Sequence, residues 1–201
     1  MTRPSDAVPR SPQSLARAAQ ILVGLYALLD PSRPKLFDAT DDGLFYSRYV
    51  SASALVGLAT LVTFLLWFRR CRYNAQALSV GPFAHTPGWA VGAWFTPVLM
   101  WWRPRRIALD IHRAVGHDPA PDTTVTLINA WWAAWLAHMA GAVTATSAGY
   151  TDSVVLSVVS QAVYLIAAVL VILVIQRITA AQTRAVATYV PVAQTPYSGR
   201  A

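Results

Sequence analysis

Two uninterrupted apolar runs decide what this chain can become. Residues 49–68, YVSASALVGLATLVTFLLWF, contain no charge, and residues 154–175, VVLSVVSQAVYLIAAVLVILVI, are more hydrophobic still. A helix needs roughly 20 predominantly apolar residues to cross a bilayer, and lipid demands that every backbone polar group be satisfied internally. Composition points the same way: 55% of the 201 residues are hydrophobic and only 12% are charged, against about 25% charged in an ordinary soluble domain. The expectation is an all-α polytopic membrane protein forming one domain.

Two further runs complete a set of four spans. Residues 15–29, LARAAQILVGLYALL, are apolar apart from Arg17 and Gln20, and a long arginine at the edge of a span can snorkel to the headgroups. A cleaved leader would also place a basic tail before an apolar run, but YALLDPSRP lacks a small-x-small cleavage site. Residues 125–145, VTLINAWWAAWLAHMAGAVTA, enclose Asn129 and His138. The tail 1–14, with Pro4, Pro9 and Pro12 among polar residues, has a composition that cannot bury a core and reads as disordered. The four-helix domain then occupies 15–188, the helix after Ile175 runs on until Pro191 stops it, and 189–201 is a loose tail.

Between the second and third spans lies HTPGWAVGAWFTPVLMWWRPRR, whose uncharged core from Gly88 to Trp102 is 15 residues long. Such a helix reaches only about 22 Å, short of the ~30 Å hydrocarbon core, and Pro97 interrupts it. Charge decides the side. If this segment does not cross, 13 of the 16 basic residues fall on the face shared by both termini, which the positive-inside rule makes cytoplasmic. If it crosses, the split becomes 6 against 10 in the wrong sense.

Residues 86–116 are therefore expected as a re-entrant or interfacial segment, with Trp89, Trp94, Trp101 and Trp102 at headgroup depth. An amphipathic helix follows, with Ile107, Ile111, Ala114 and Val115 on one face and Arg106, Asp110 and Arg113 on another. Arg103, Arg105 and Arg106 beside these tryptophans form a candidate surface for anionic lipid headgroups or a protein partner. Simple interfacial anchoring is the plainer reading of the same residues. The net charge of +7 sits beside apolar runs and does not call for nucleic acid.

The run from FLLWFRRCRYNAQAL through TPGWAVGAWFTPVLMWWRPRRIALDIHRA to AWWAAWLAH resembles the bacterial membrane family called domain of unknown function 4328. The resemblance rests on Trp67, Phe68, Arg69, Asn74, Ala77, Leu78, on Pro87, Gly88, Trp89, Ala90, Val91, Gly92, Trp94, Phe95 and Pro97, and on Pro104, Arg105, Trp131, Trp132 and Trp135. Thr86 stands where serine is common, and VLMWW replaces a stretch that usually contains asparagine. The resemblance implies a four-span protein of the cell membrane with a structured central segment. It transfers no activity.

Chemistry-bearing residues are few. His112 and His117 are five apart, where metal ligands on one helix face want three or four, so His85, His112, His117, Asp110 and Asp118 make a poor metal set. His138 has no second intramembrane histidine with which to hold a haem; Asn129, Ser157, Ser160 and Gln161 are its candidate hydrogen-bond partners. Ala133, Ala137, Gly141 and Ala145 recur every fourth residue and predict a smooth stripe for helix contact. The lone Cys71 reads as a small buried or interfacial side chain. No nucleophile-base order and no glycine-rich phosphate loop appears.

No catalytic, cofactor-binding or metal residue is nominated, and no cofactor is expected. The first expectation is a non-enzymatic membrane component, alone or as a homo-oligomer, whose tryptophan-arginine surface meets lipid or a partner. An alternative is a small oligomeric transporter or channel lined by Asn129, His138 and Gln161. A lipid-directed enzyme using Asp110, His112 and His117 ranks third.

Overall fold

The computed structural model describes residues 9–29, 43–79, 83, 86–116, 123–147 and 154–189. Every regular element among them is helical: α1 (Gln13–Leu29), α2 (Gly43–Leu78), α3 (Trp89–Phe95), a 3-10 turn (Leu99–Trp101), α4 (Arg103–Arg113), α5 (Thr123–Ser147) and α6 (Val154–Ala187). α1 packs on α2 and α6, α5 packs on α6, and the short elements α3 and α4 fill the space against α2 and α5.

Of the four expected spans, two meet the length and hydropathy of a crossing among the described residues: α2, and α6 from Val158 on. α1 has 17 residues, short of the roughly 20 a crossing needs. α5 has 25 residues, but Asn129, His138 and three tryptophans dilute its hydropathy. Both long helices also outrun their apolar segments. α2 does not stop at the basic RRCR but continues to Leu78, and its 36 residues span about 54 Å. α6 carries on through Arg177 and Arg184 to Ala187.

The core sits at the end of the bundle where these extensions lie. Trp67, Phe68, Cys71 and Ala75 of α2 are buried with Ala16 and Ala19 of α1, Ile128, Trp131 and Trp132 of α5, and Val174, Ile175 and Ile178 of α6. Away from it the side chains face outward: Ile21, Leu28, Leu55, Leu58, Val158, Ile166 and Val169 are all exposed. An apolar girdle of this extent is not left to water by a soluble monomer.

Residues 9–14, at the end of the segment expected as a tail, are among the described residues and pack against the bundle. Pro9 and Pro12 are buried while Arg10 and Ser11 are exposed, and α1 starts with Ala16 N–H donating to Pro12 O. Composition described only what the segment could bury by itself; the groove it lies in belongs to other helices. Residues 1–8 and the tail 190–201 are outside the described residues.

One close helix contact was not expected, and one expected contact is absent. A Cβ at Gly57 would stand 2.8 Å from Tyr26 Cε2, so the Tyr26 ring of α1 occupies the space a side chain at residue 57 of α2 would need. By contrast, the small-residue stripe on α5 has no neighbour among the described residues: Ala133 and Ala137 are exposed, and a Cβ at Gly141 meets nothing within 4 Å. The side chain of Ala145 is outside the described set. Helix propensity alone favours alanine over glycine by about 1 kcal/mol, which makes Gly57→Ala a clean test. In the wild-type background it lowers the melting temperature, because the Tyr26 ring must move. In a Tyr26→Ala background it raises it, and a double-mutant cycle isolates the clash.

Candidate functional site

The segment after Thr86 folds for local reasons. Thr96 precedes Pro97, and a residue before proline is pushed out of the α region; its backbone is extended at φ −96, ψ 111, and α3 ends there. Met100 N–H then donates to Thr96 O, the 3-10 turn forms, and α4 begins with Pro104 in its first turn, where the missing N–H costs nothing. α4 closes at Gly116, whose φ of +110 is open to glycine and strained for other residues.

This arrangement makes α3 a wedge. The Trp94 ring lies edge-on to Phe64 at 5.5 Å and contacts Phe68 at 6.2 Å on α2; on α5 it meets Trp131 at 6.4 Å and Trp132 and Trp135 at 6.0 Å each. Trp132 stacks on Trp135 at 4.7 Å, and Trp132 Nε1 donates to Trp101 O across 3.2 Å. Trp94 Nε1 is buried without a hydrogen-bond partner among the described residues.

The four tryptophans expected at headgroup depth therefore divide. Trp94, partly buried, packs against the bundle core, whereas Trp89, Trp101 and Trp102 stay 36%, 44% and 41% exposed. Phe95 and Val98 are also exposed beside them.

The arginines divide as well. Arg103 places its guanidinium 4.5 Å from the Trp89 ring centroid, a cation–π contact. Arg105 turns inward, and its Nε donates to Asn129 Oδ1 at 2.9 Å. Arg106 is exposed. Arg113 and Asp110 form an ion pair at 3.7 Å that is open to solvent and therefore worth little.

α4 is amphipathic as expected, but its buried face is Pro104, Ile107, Ala108, Leu109 and Ile111, and it packs on α2 and α5. Protein, rather than lipid, covers that face. Ala114 and Val115 are only half-buried.

The residues of the expected intramembrane set have different neighbours. Asn129 is committed to Arg105, while His138 lies two and a half turns further along α5 with its ring 5.1 Å from Tyr164. Tyr164 in turn packs edge-on against Tyr26 at 6.3 Å. Gln161 Nε2, one turn before Tyr164, is buried and without a hydrogen-bond partner among the described residues. Among the described residues no three His, Cys, Asp or Glu side chains come together; His85 and His117 lie outside them.

A second polar cluster, unanticipated, ties the ends of α2 and α6 to the segment before α1. Trp67 Nε1 donates to Thr179 Oγ1 at 3.0 Å. Gln182 Nε2 donates to Cys71 O at 2.8 Å, and Gln182 Oε1 accepts from Asn74 Nδ2 at 3.1 Å. Asn74 grips one residue of the preceding segment from both sides: Arg10 N–H donates to its Oδ1 at 3.0 Å, and its Nδ2 donates to Arg10 O at 2.8 Å. The signal was present in the sequence, as the asparagine of the quoted RRCRYNAQAL and as Thr179 and Gln182 spaced i, i+3, but nothing local pairs them.

Beside this cluster Arg72 is buried with its guanidinium 3.8 Å from the Phe83 ring centroid. Burial lowers the Arg72 pKa, and the charge of Asp110 works against that shift. Cys71, fully buried just beyond the apolar run, has its thiol pushed well up by desolvation, with Arg70 opposing. It is a packing residue rather than a nucleophile.

Fold and site together define a class: an all-helical protein with, among the described residues, two helices apolar enough to cross a membrane and a face of tryptophans and arginines. The model of the family described as Domain of unknown function (DUF4328) matches residues 38–180, and the chain belongs to that family. Searches of curated proteins and of solved structures found no match.

Proposed function

We propose that this chain is a multi-pass membrane protein that binds, without turnover, anionic lipid headgroups on the face carrying Trp89, Trp101, Trp102, Arg103 and Arg106. In this reading α1, α2, α5 and α6 all cross, both termini are cytoplasmic, and α3 re-enters from that side. The basic-residue distribution supports the orientation: with four crossings, 13 of 16 fall on the side of both termini. The 17-residue α1 reaches about 26 Å, a shortfall that local thinning of the bilayer accommodates. The tryptophans of α5 suit a helix wetted at one end and packed against α3 at the other.

The observation that carries the lipid reading is the juxtaposition of three exposed indoles with Arg106 exposed and Arg103 half-exposed over Trp89. Indoles place the face at headgroup depth, and guanidiniums bind phosphate by charge-assisted hydrogen bonds. The engagement of Asn129 by Arg105 weighs against a pathway lined by Asn129, His138 and Gln161.

The test is native mass spectrometry of the full chain in mild detergent, titrated with phosphatidylglycerol and with phosphatidylcholine. Wild type retains the anionic lipid with at least a tenfold preference, weakened by salt. The variant Arg103→Ala/Arg106→Ala loses that preference. Arg105 is spared because its replacement unpairs Asn129. Equal retention of both lipids by wild type defeats the reading.

A further inference from the structure

The segment Pro9–Pro12 reads P-R-S-P, and its burial has a period. Pro9 and Pro12 are buried and Arg10 and Ser11 are exposed. A left-handed polyproline helix has three residues per turn and no internal hydrogen bonds, so residues three apart share a face and the backbone groups between them need outside partners. Asn74 supplies those partners, accepting from Arg10 N–H and donating to Arg10 O. Gln182, anchored on Cys71 O, fixes the orientation of the Asn74 amide.

No side-chain atom of Arg10 takes part in these bonds. Two prolines are thus buried and one intervening residue is held by its backbone, while the intervening side chains stay exposed. Buried prolines three apart with the chain between them held by its backbone match the spacing of an extended Pro-x-x-Pro ligand, and here that segment is supplied by the same chain.

We propose that the notch between the ends of α2 and α6, built on Asn74 and Gln182, is a receptor for extended Pro-x-x-Pro peptides, occupied in cis by the strap Pro9–Pro12. A proline-rich segment of a partner chain takes the same place when the strap leaves. The strap is then an intramolecular competitor: its high effective concentration keeps weak partners out. The notch is separate from the tryptophan-arginine face, so the proposal does not depend on lipid binding.

The probe is a fluorescein-labelled peptide with the chain's own residues 7–14, AVPRSPQS, carrying a photoreactive group in place of Ser11, which is exposed. It is titrated into the full chain in detergent, as wild type and as Pro9→Ala/Pro12→Ala. The expected result is binding at least tenfold tighter to the strap variant, with crosslinks on α2 near Asn74 and on α6 near Gln182, and no binding of a peptide whose two prolines are alanine. Equal binding to both chains, crosslinks elsewhere, or no binding to the strap variant at millimolar peptide overturns the proposal. Should the double variant fail to fold, wild type decides: millimolar peptide speeds hydrogen exchange at the Arg10 amide, and an unchanged rate overturns the proposal.

Discussion

Replacing Trp94 by alanine is expected to destabilise the protein by about 3–5 kcal/mol, the range for removing a large aromatic from a packed core. The reason is placement. The ring contacts Phe64 and Phe68 on one helix and Trp131, Trp132 and Trp135 on another, so its loss opens a cavity at a joint between α2 and α5. Trp94→Phe should cost less than half as much. It keeps an aromatic ring in the joint and removes a buried indole N–H that has no partner among the described residues, and deleting an unsatisfied donor recovers part of the lost packing. Thermal melting of the three purified proteins in one detergent checks the order. Near-equal losses for alanine and phenylalanine would show that the indole, rather than the ring's bulk, is what the joint requires. Trp89→Ala, on the exposed side of the same short helix, is the control and should melt close to wild type.

Asn74→Leu carries the second-largest expected effect, about 2–4 kcal/mol. Leucine keeps the branched shape with the same number of heavy atoms but withdraws both bonds to Arg10 and the bond to Gln182. Each buried polar group left unpaired costs about 1–3 kcal/mol, and the Gln182 oxygen, in a residue that is 0% exposed, loses the donor it accepts from. Asn74→Asp is the sharper probe. A carboxylate still accepts from Arg10 N–H but sets its other oxygen against Gln182 Oε1 and Arg10 O, both acceptors. Its cost should therefore fall on acidification, when the protonated carboxyl can donate again, and rise above neutrality. Melting temperatures between pH 4 and 8 measure this, with hydrogen exchange at the Arg10 amide as the local readout. A pH-independent Asn74→Asp would mean that the amide donor contributes nothing.

Both effects depend on residues whose types were plain in the sequence and whose partners were not. Trp94 stood out as one of four tryptophans in a short apolar segment, and hydropathy with aromatic enrichment placed all four at the interface. The fold sends Trp94 inward because Pro97 ends α3 after seven residues, which turns that short helix against α2 and α5. Likewise Arg105 was grouped with Arg103 and Arg106 on charge alone. On a helix, residues 105 and 106 project about 100° apart, so only one of them can face Asn129.

The small-residue stripe failed for a related reason. Spacing shows that Ala133, Ala137 and Gly141 share a face, but not whether another helix of this chain lies against it. Gly57, outside that stripe, does admit a neighbour from another helix, and only the Tyr26 ring reveals its use.

By itself the sequence determined the helical class, the presence and approximate centres of the long helices, the break at Pro97, the amphipathic α4 and the family resemblance. These follow from hydropathy, periodicity and the covalent limits of proline, all of which act within a few residues of one another. Only the tertiary structure decided that α3 wedges into the bundle, that α4 is covered by protein, and that Asn74 holds the strap. Those outcomes depend on pairs such as Arg10 with Asn74 and Asn74 with Gln182, which lie 64 and 108 residues apart. A hydrogen bond reaches about 3 Å, and no local pattern records which distant group will arrive within that reach.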